Sequence, residues 1–451
     1  MKQPRALPLL FLVQMWECFS FYGMRALLVL YMIDALSFSE YQSFGIYAVY
    51  TALVEMLVLL GGFLADKVWG LRTSIFLGGI LITCGHVCLA LSNFFFLSLA
   101  FIIVGSSLFK TNLKALLGLF YEKDDPRREA GFTLFYSGMN LGGFLAALSC
   151  GYIGHFYGWH AGFGIAAIGM LAGLTLLIYK RDILENKGQS LILRPLWMRM
   201  AALAGVLGLI PLCSFLLQNN ALAIPLLPFI GVGALIYLFF QLKSLSLEQK
   251  KAIYILLGMI SLLMIYFAFE ELMGSLLMVF SDTYVLKTIF AFHVPTSVLL
   301  VMNPLTVILM GPLMAKMSSH PSKKLPFAFL SLTAAFAILY LGTLQGEVPS
   351  FFLLGSFFFI ALGELFIAPT IYAHCSGFAP AQLKGIMMSL VTMGFAYGSL
   401  VSGTLSQKIA PRTLAEYGDF FLSAAAIALG IVLIFFFRKS PLSKPSQAQK
   451  N

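Results

Sequence analysis

The chain has 451 residues, of which 60% are apolar and only 11% are charged, and 43 of them are phenylalanine. A soluble domain is nearer half apolar and a quarter charged, so these figures exclude a soluble globular enzyme, a disordered chain and a secreted disulfide scaffold. The net charge of +10 does not point to nucleic acid, because Lys and Arg of membrane proteins gather in cytoplasmic loops.

Taken in chain order, the apolar runs predict fourteen membrane-spanning helices: 7–33, 42–65, 72–91, 95–120, 131–155, 158–179, 197–218, 222–243, 251–280, 294–315, 326–344, 351–374, 382–406 and 417–437. Each approaches or exceeds the roughly 20 residues that cross a bilayer. The first run continues from Ala6 without a small-residue cleavage site, so no cleavable signal is expected. An even number of helices puts both termini on one side. That side collects Lys67, Arg72, Lys123, Arg127, Arg128, Lys180, Arg181, Lys187, Lys243, Lys250 and Lys316, whereas Lys287, Lys408 and Arg412 fall on the other. Both termini are therefore expected in the cytoplasm. The expected segmentation is a six-helix N-terminal half (1–180), a linker with two extra helices (181–249), a six-helix C-terminal half (250–438) and a disordered tail (439–451). A short match between GFLADK at 62–67 and GPLMAK at 311–316 fits two related halves around a midplane site.

The six cysteines, Cys18, Cys84, Cys88, Cys150, Cys213 and Cys375, all lie in apolar runs and read as small buried residues. Cys84 and Cys88 stand one helical turn apart without further ligands, so no metal site is expected. No phosphate-binding glycine loop, nucleophile elbow or HExxH is present. ATP-driven transport and intramembrane catalysis are not supported, and no cofactor is implied. His86, His155, His160, His293, His320 and His374 form no cluster along the sequence.

An ionisable group at membrane depth costs several kcal/mol and marks a functional candidate. Glu17, Arg25, Glu55, Lys110, Glu270, Glu271 and Glu364 are such groups. In the first helix Gln14, Glu17, Cys18, Phe21, Tyr22 and Arg25 follow helical spacing and share one face. Glu17 and Arg25 are about 12 Å apart along the axis, so each needs a partner elsewhere. One reading of this face is a polar network that locks helices together. The other takes account of bases in the first half (Arg25, Lys110) and acids in the second (Glu270, Glu364). Ion pairs between them could close one face of a transporter. A zwitterionic substrate would compete for them, its carboxylate meeting Arg25 and Lys110 and its amine Glu364. Asn303-Pro304 and Ala368-Pro369 break the hydrogen-bond ladder and are candidate hinges or plain kinks. Gly138, Gly142 and Gly143 permit close helix packing around Asn140. Asn140 is a candidate cavity ligand or a helix–helix hydrogen-bonding group.

The run from Trp16 to Arg25 (WECFSFYGMR) resembles ExxERFxYYGMR, the first-helix signature of the proton-coupled oligopeptide transporters of the major facilitator superfamily. The segments at 61–66 (GGFLAD), 108–112 (LFKTN), 125–142 (DPRREAGFTLFYSGMNLG), 269–270 (FE) and 363–369 (GELFIAP) are similar to further motifs of that family. Together they cover nearly the whole chain. The resemblance implies an all-α fold of twelve core helices in two six-helix halves plus two inserted ones. It also implies inward carriage of di- and tripeptides with protons by alternating access, in an inner membrane and as a monomer. By resemblance, Arg25 and Lys110 bind the peptide carboxylate or form gating pairs with Glu270 and Glu364. Glu364 and Asn140 meet the amino terminus, Asn303 lies nearby and Tyr22 lines the pocket.

The departures from the family pattern are specific. Gln14 and Cys18 stand where the signature has Glu and Arg, leaving Glu17 alone. An amide cannot carry a proton as a carboxyl can. Either Glu17 still carries one or coupling is lost. Glu55 stands where the family commonly has tyrosine; it is expected to join Glu17 as a proton site, to pair with Arg25, or to be a neutral structural group. Ala368 replaces a usual serine, and no proline follows Lys110.

Overall fold

A computed structural model of the chain describes residues 3–437, apart from 92–93, 123–124, 126, 191–193, 244, 290–291, 315–320, 381–382, 410 and 412. The expected disordered tail (439–451), Lys123, Lys316 and Arg412 lie outside the described residues. The helices are α1 (Ala6–Ala35), α2 (Glu40–Trp69), α3 (Leu71–Ala90), α4 (Phe95–Gly118), α5 (Arg128–Tyr157), α6 (Trp159–Tyr179), α7 (Leu196–Gln218), α8 (Asn220–Leu242), α9 (Leu247–Tyr284), α10 (Thr296–Met314), α11 (Pro321–Thr343), α12 (Ser350–Phe378), α13 (Lys384–Ile409) and α14 (Leu414–Phe437). Among the described residues, 13 helices are long and apolar enough to cross a membrane. The remaining one, α5, has 30 residues and is long enough, but Ser, Gly and Asn interrupt its apolar run. Among the described residues, four two-residue strands lie between helices. β1 (Val285–Leu286) pairs in parallel with β4 (Val348–Pro349), and β2 (Thr288–Ile289) runs antiparallel to β3 (Phe292–His293).

By internal contacts the chain forms two compact units: Met1–Pro225 with Val294–Leu305, and Leu226–His293 with Thr306–Asn451. In the first unit, close helix packing rests on glycine, as it must where the partner helix is already apolar and only short approach adds attraction. A Cβ on Gly78 of α3 would lie 2.6 Å from the Gly105 carbonyl oxygen of α4, and one on Gly142 of α5 would lie 2.2 Å from the Met15 carbonyl of α1. Leu10, Val13, Ile75, Phe109, Leu113, Leu116, Phe135 and Met170 fill the core between these helices. The segment after α6 is tied back to the α2–α3 turn: Arg72 donates its backbone N–H to the Gly188 carbonyl at 3.0 Å, and Arg194 Nε donates to the Lys67 carbonyl at 3.0 Å.

In the second unit, α11 packs on α12 and α14, and α9 on α13. A capping box, Ser246 with Gln249, starts α9. The continuous apolar run predicted over 251–280 is not one regular helix. Its α-helical part ends at Glu270, a 3-10 turn covers Glu271–Gly274, and the helix resumes at Leu276. Irregular backbone at membrane depth is tolerated where protein or a cavity surrounds it. The α10 segment is also broken. A first turn covers Thr296–Leu299 and the helix resumes at Met302, so Pro304 sits in the opening turn of the second piece, where its missing N–H costs little. Pro369 lies inside α12, as read from the sequence.

Candidate functional site

The candidate residues on the first unit begin with α1. Its polar face runs from a buried end to an open one: Gln14 and Glu17 are each 1% exposed, whereas Tyr22 is 40% exposed. Gln14 Nε2 donates to Glu17 Oε2 at 2.8 Å and approaches Cys18 Sγ at 3.1 Å. The Cys18 thiol donates to the same Glu17 Oε2 at 3.4 Å. Glu17 Oε1 and Gln14 Oε1 are buried without a hydrogen-bond partner among the described residues. Glu17 thus finds its partners on its own helix, not on a neighbouring one as its separation from Arg25 suggested. Those partners are neutral.

Arg25, two turns further on, is held from α2. Its Nε donates to Tyr47 Oη at 3.1 Å, and Nη2 donates to the same oxygen. The guanidinium stacks against Phe21, Tyr22 and Tyr47, 5.4–5.9 Å from the three ring centroids, within cation–π range. Tyr47 is fully buried. The sequence reading missed it, because a tyrosine in an apolar helix reads as core. A residue one helical turn from two other α2 aromatics is the only signal that could have flagged it.

Glu55 does not pair with Arg25. Its Oε1 lies 3.8 Å from Lys110 Nζ of α4, with the side chains 34% and 18% exposed, respectively. The same ammonium stands 3.6 Å from the centroid of the Phe21 ring. Lys110 is therefore fixed between an α1 aromatic face and an α2 carboxylate. Tyr50, fully buried, stacks on Phe21 at 6.3 Å. Its hydroxyl has no partner among the described residues, and it lies within electrostatic reach of Arg25, Tyr47, Glu17 and Glu55.

Gly143 of α5 brings three further candidates to one place. A Cβ there would lie 3.4 Å from the Tyr22 ring and 3.8 Å from Pro304. Asn140, one turn earlier on α5, bonds the Tyr136 carbonyl at 3.1 Å. Asn303, beside Pro304, has a buried Nδ2 with no partner among the described residues. Gly143 thus brings α5 against the Tyr22 ring and against the Asn303-Pro304 turn.

On the second unit, Glu270 closes the first part of α9 and Glu364 lies in α12. Tyr266 lies within electrostatic reach of both acids. Its hydroxyl donates to the Ile360 carbonyl, and a Cβ on Gly363 would lie 2.4 Å from it. Tyr266 was not singled out from the sequence. Glu271 turns into the 3-10 segment, its carbonyl accepting from Ser275 Oγ at 3.3 Å. Among the described residues no group of three or more His, Cys, Asp or Glu side chains is arranged to hold a metal ion.

A bundle of membrane helices carrying a charged, partly open face invites comparison with known transporters. The sequence pattern of the POT family matches residues 72–422. The chain belongs to the POT family. It is 31% identical over 474 aligned residues to dipeptide and tripeptide permease A of Proteus mirabilis, covering 99% of this chain and 96% of that permease. It is 32% identical to the uncharacterized transporter YclF of Bacillus subtilis over 86% of this chain and 84% of that one. Its structure superposes on a crystal structure of a peptide transporter POT in complex with sulfate, with TM-score 0.85, 30% identity and 96% of this chain and 94% of that chain covered. A POT family transporter in complex with 5-aminolevulinic acid gives TM-score 0.85 at 25% identity, covering 98% of this chain and 97% of that one. As a POT family member the chain is a multi-pass membrane transporter and not an enzyme, with the major facilitator fold of twelve core helices plus two inserted ones.

Proposed function

We propose that this POT family member imports di- and tripeptides together with protons, by alternating access, across the bacterial inner membrane, with both termini in the cytoplasm. It works as a monomer, the bilayer and the peptide being its partners. The observation that carries the reading is the open cationic face of the first unit: Lys110 beside Glu55 and Arg25 in its aromatic frame. A peptide carboxylate would meet Arg25 and Lys110, while Tyr22, Asn140 and Asn303 line the site. The amino terminus would meet Glu364. The likeness to dipeptide and tripeptide permeases supports this substrate class.

Glu17, Glu55, Glu270 and Glu364 are the proposed proton-coupling or gating acids. Each can exchange a proton, which an amide cannot. Among the described residues, Glu17 accepts only from the neutral Gln14 amide and Cys18 thiol. A substrate carboxylate arriving at Lys110 would share the ammonium with Glu55, loosening the pair so that Glu55 can take up a proton or another cation. The test is uptake of labelled dialanine into proteoliposomes. Concentrative uptake under an inward proton gradient, absent without it, is the expected result. Folded protein that neither accumulates nor counterflows dipeptides would overturn the reading.

A further inference from the structure

We propose that Glu55 gives the carboxylate end of this site a charge preference: peptides whose second residue carries a basic side chain bind best, and those with an acidic one bind worst. The inference rests on the peptide reading above and names the substrate class more narrowly. Lys110 is not a free cation. Its ammonium lies 3.8 Å from Glu55 Oε1 and 3.6 Å from the Phe21 ring centroid, so both neighbours hold it. Both partners are partly open, at 34% and 18% exposure, and a solute can reach them. Glu17, at 1% exposure, cannot meet a solute in this arrangement.

A carboxylate that engages Lys110 must therefore come in alongside Glu55. Two carboxylates then share one ammonium in a partly desolvated place, an arrangement that like-charge repulsion disfavours. A further cation relieves it. In a dipeptide the side chain of the second residue leaves the same carbon as the carboxylate, so a lysine or arginine there delivers its charge to Glu55. An aspartate or glutamate adds a third negative group. The peptide amino terminus belongs to the preceding residue and stands further from the carboxylate.

The experiment is competition against labelled dialanine on the purified full chain, with thermal stabilisation as a second readout. Alanyl-lysine is expected to bind about tenfold tighter than dialanine and alanyl-glutamate about tenfold weaker. Lysyl-alanine, with its charge at the other end, should stay near dialanine. In Glu55→Gln this order should collapse to within about twofold. Equal affinities for the three peptides in the wild-type chain would overturn the proposal. So would an unchanged order in Glu55→Gln, or lysyl-alanine matching alanyl-lysine. The last comparison needs no variant and decides the matter even if Glu55→Gln does not fold. If no dipeptide of any charge binds, the peptide reading itself fails and this one with it, an outcome distinct from binding without charge preference.

Discussion

The side-chain amide of Gln14 stands 2.8 Å from Glu17 Oε2, so a neutral donor occupies the place where a second carboxylate would crowd Glu17. Glu17→Gln keeps shape and removes the exchangeable proton. We expect gradient-driven accumulation to be lost while counterflow persists, measured side by side in proteoliposomes. Gln14→Glu should destabilise by about 1–3 kcal/mol, read as a lower Tm at neutral pH, because it sets two buried acids against each other.

The Lys110–Glu55 pair is half open, so its worth to folding is modest. A double-mutant cycle with Lys110→Gln and Glu55→Gln should give a coupling near ~1 kcal/mol in thermal stability. Lys110→Gln should weaken dipeptide binding by tenfold or more, since a charge-assisted contact to the carboxylate is lost. Unchanged affinity would remove Lys110 from the site.

Tyr47 holds Arg25 through its hydroxyl. Tyr47→Phe keeps the stacking and deletes two donor contacts to one oxygen. A loss of about 1–2 kcal/mol in stability is expected. Arg25→Lys should lower dipeptide affinity despite keeping the charge, because an ammonium lacks the flat fork that lies among Phe21, Tyr22 and Tyr47. Thermal unfolding would check the first and isothermal titration the second.

Gly61 admits no side chain. A Cβ there would lie 1.8 Å from the Ser107 carbonyl oxygen, and the Gly61 carbonyl accepts from Asn112 Nδ2 at 3.2 Å. Gly61→Ala should part α2 from α4 and cost about 2–4 kcal/mol. Gly164→Ala, where a Cβ would meet nothing within 4 Å, should leave Tm within a degree or two. Equal effects of the two substitutions would refute the packing argument.

Outside the helices, Arg127 holds the Asp125 carboxyl below the usual carboxylate range through side-chain and backbone hydrogen bonds. The folded value is depressed, so the stabilisation is complete above the unfolded value, near ~3.9, and disappears as pH falls through the folded one. The Tm difference between the wild-type chain and Asp125→Asn should be constant from about pH 7 to 5 and shrink below about pH 4. A gap that grows on acidification would reverse the sign.

Hydropathy made the helices legible nearly to their ends: 95–120 was expected and Phe95–Gly118 is observed, 197–218 against Leu196–Gln218. It did not place the breaks after Glu270 and Leu299: Glu270-Glu271 stood out only as charges, and Asn303-Pro304 marked a kink but not the interruption that precedes it. Helical spacing grouped Gln14, Glu17 and Cys18 correctly, since they lie within one turn. Pairing across helices carries no such period. Nothing in the spacing of positions 55 and 110 says that Glu55 meets Lys110 in preference to Arg25. Tyr47 and Tyr266 were hidden for a different reason: their rings belong to the core and only their hydroxyls do polar work.

The chain passes between its two compact units three times, and two of these crossings fall inside membrane helices, directly after Pro225 in α8 and one residue past Pro304 in α10. Proline supplies no amide hydrogen, so α8 loses a rung of its ladder at Pro225, whereas Pro304, in the opening turn of the second piece of α10, gives up little. In α10 the slack is taken up locally, Asn303 N–H reaching the Leu300 carbonyl at 3.2 Å and Leu305 N–H the Val301 carbonyl at 3.1 Å. A rod with a missing rung flexes there before it flexes elsewhere. Flexing of α8 is thus concentrated at Pro225, away from the packed glycine seams on which the first unit depends.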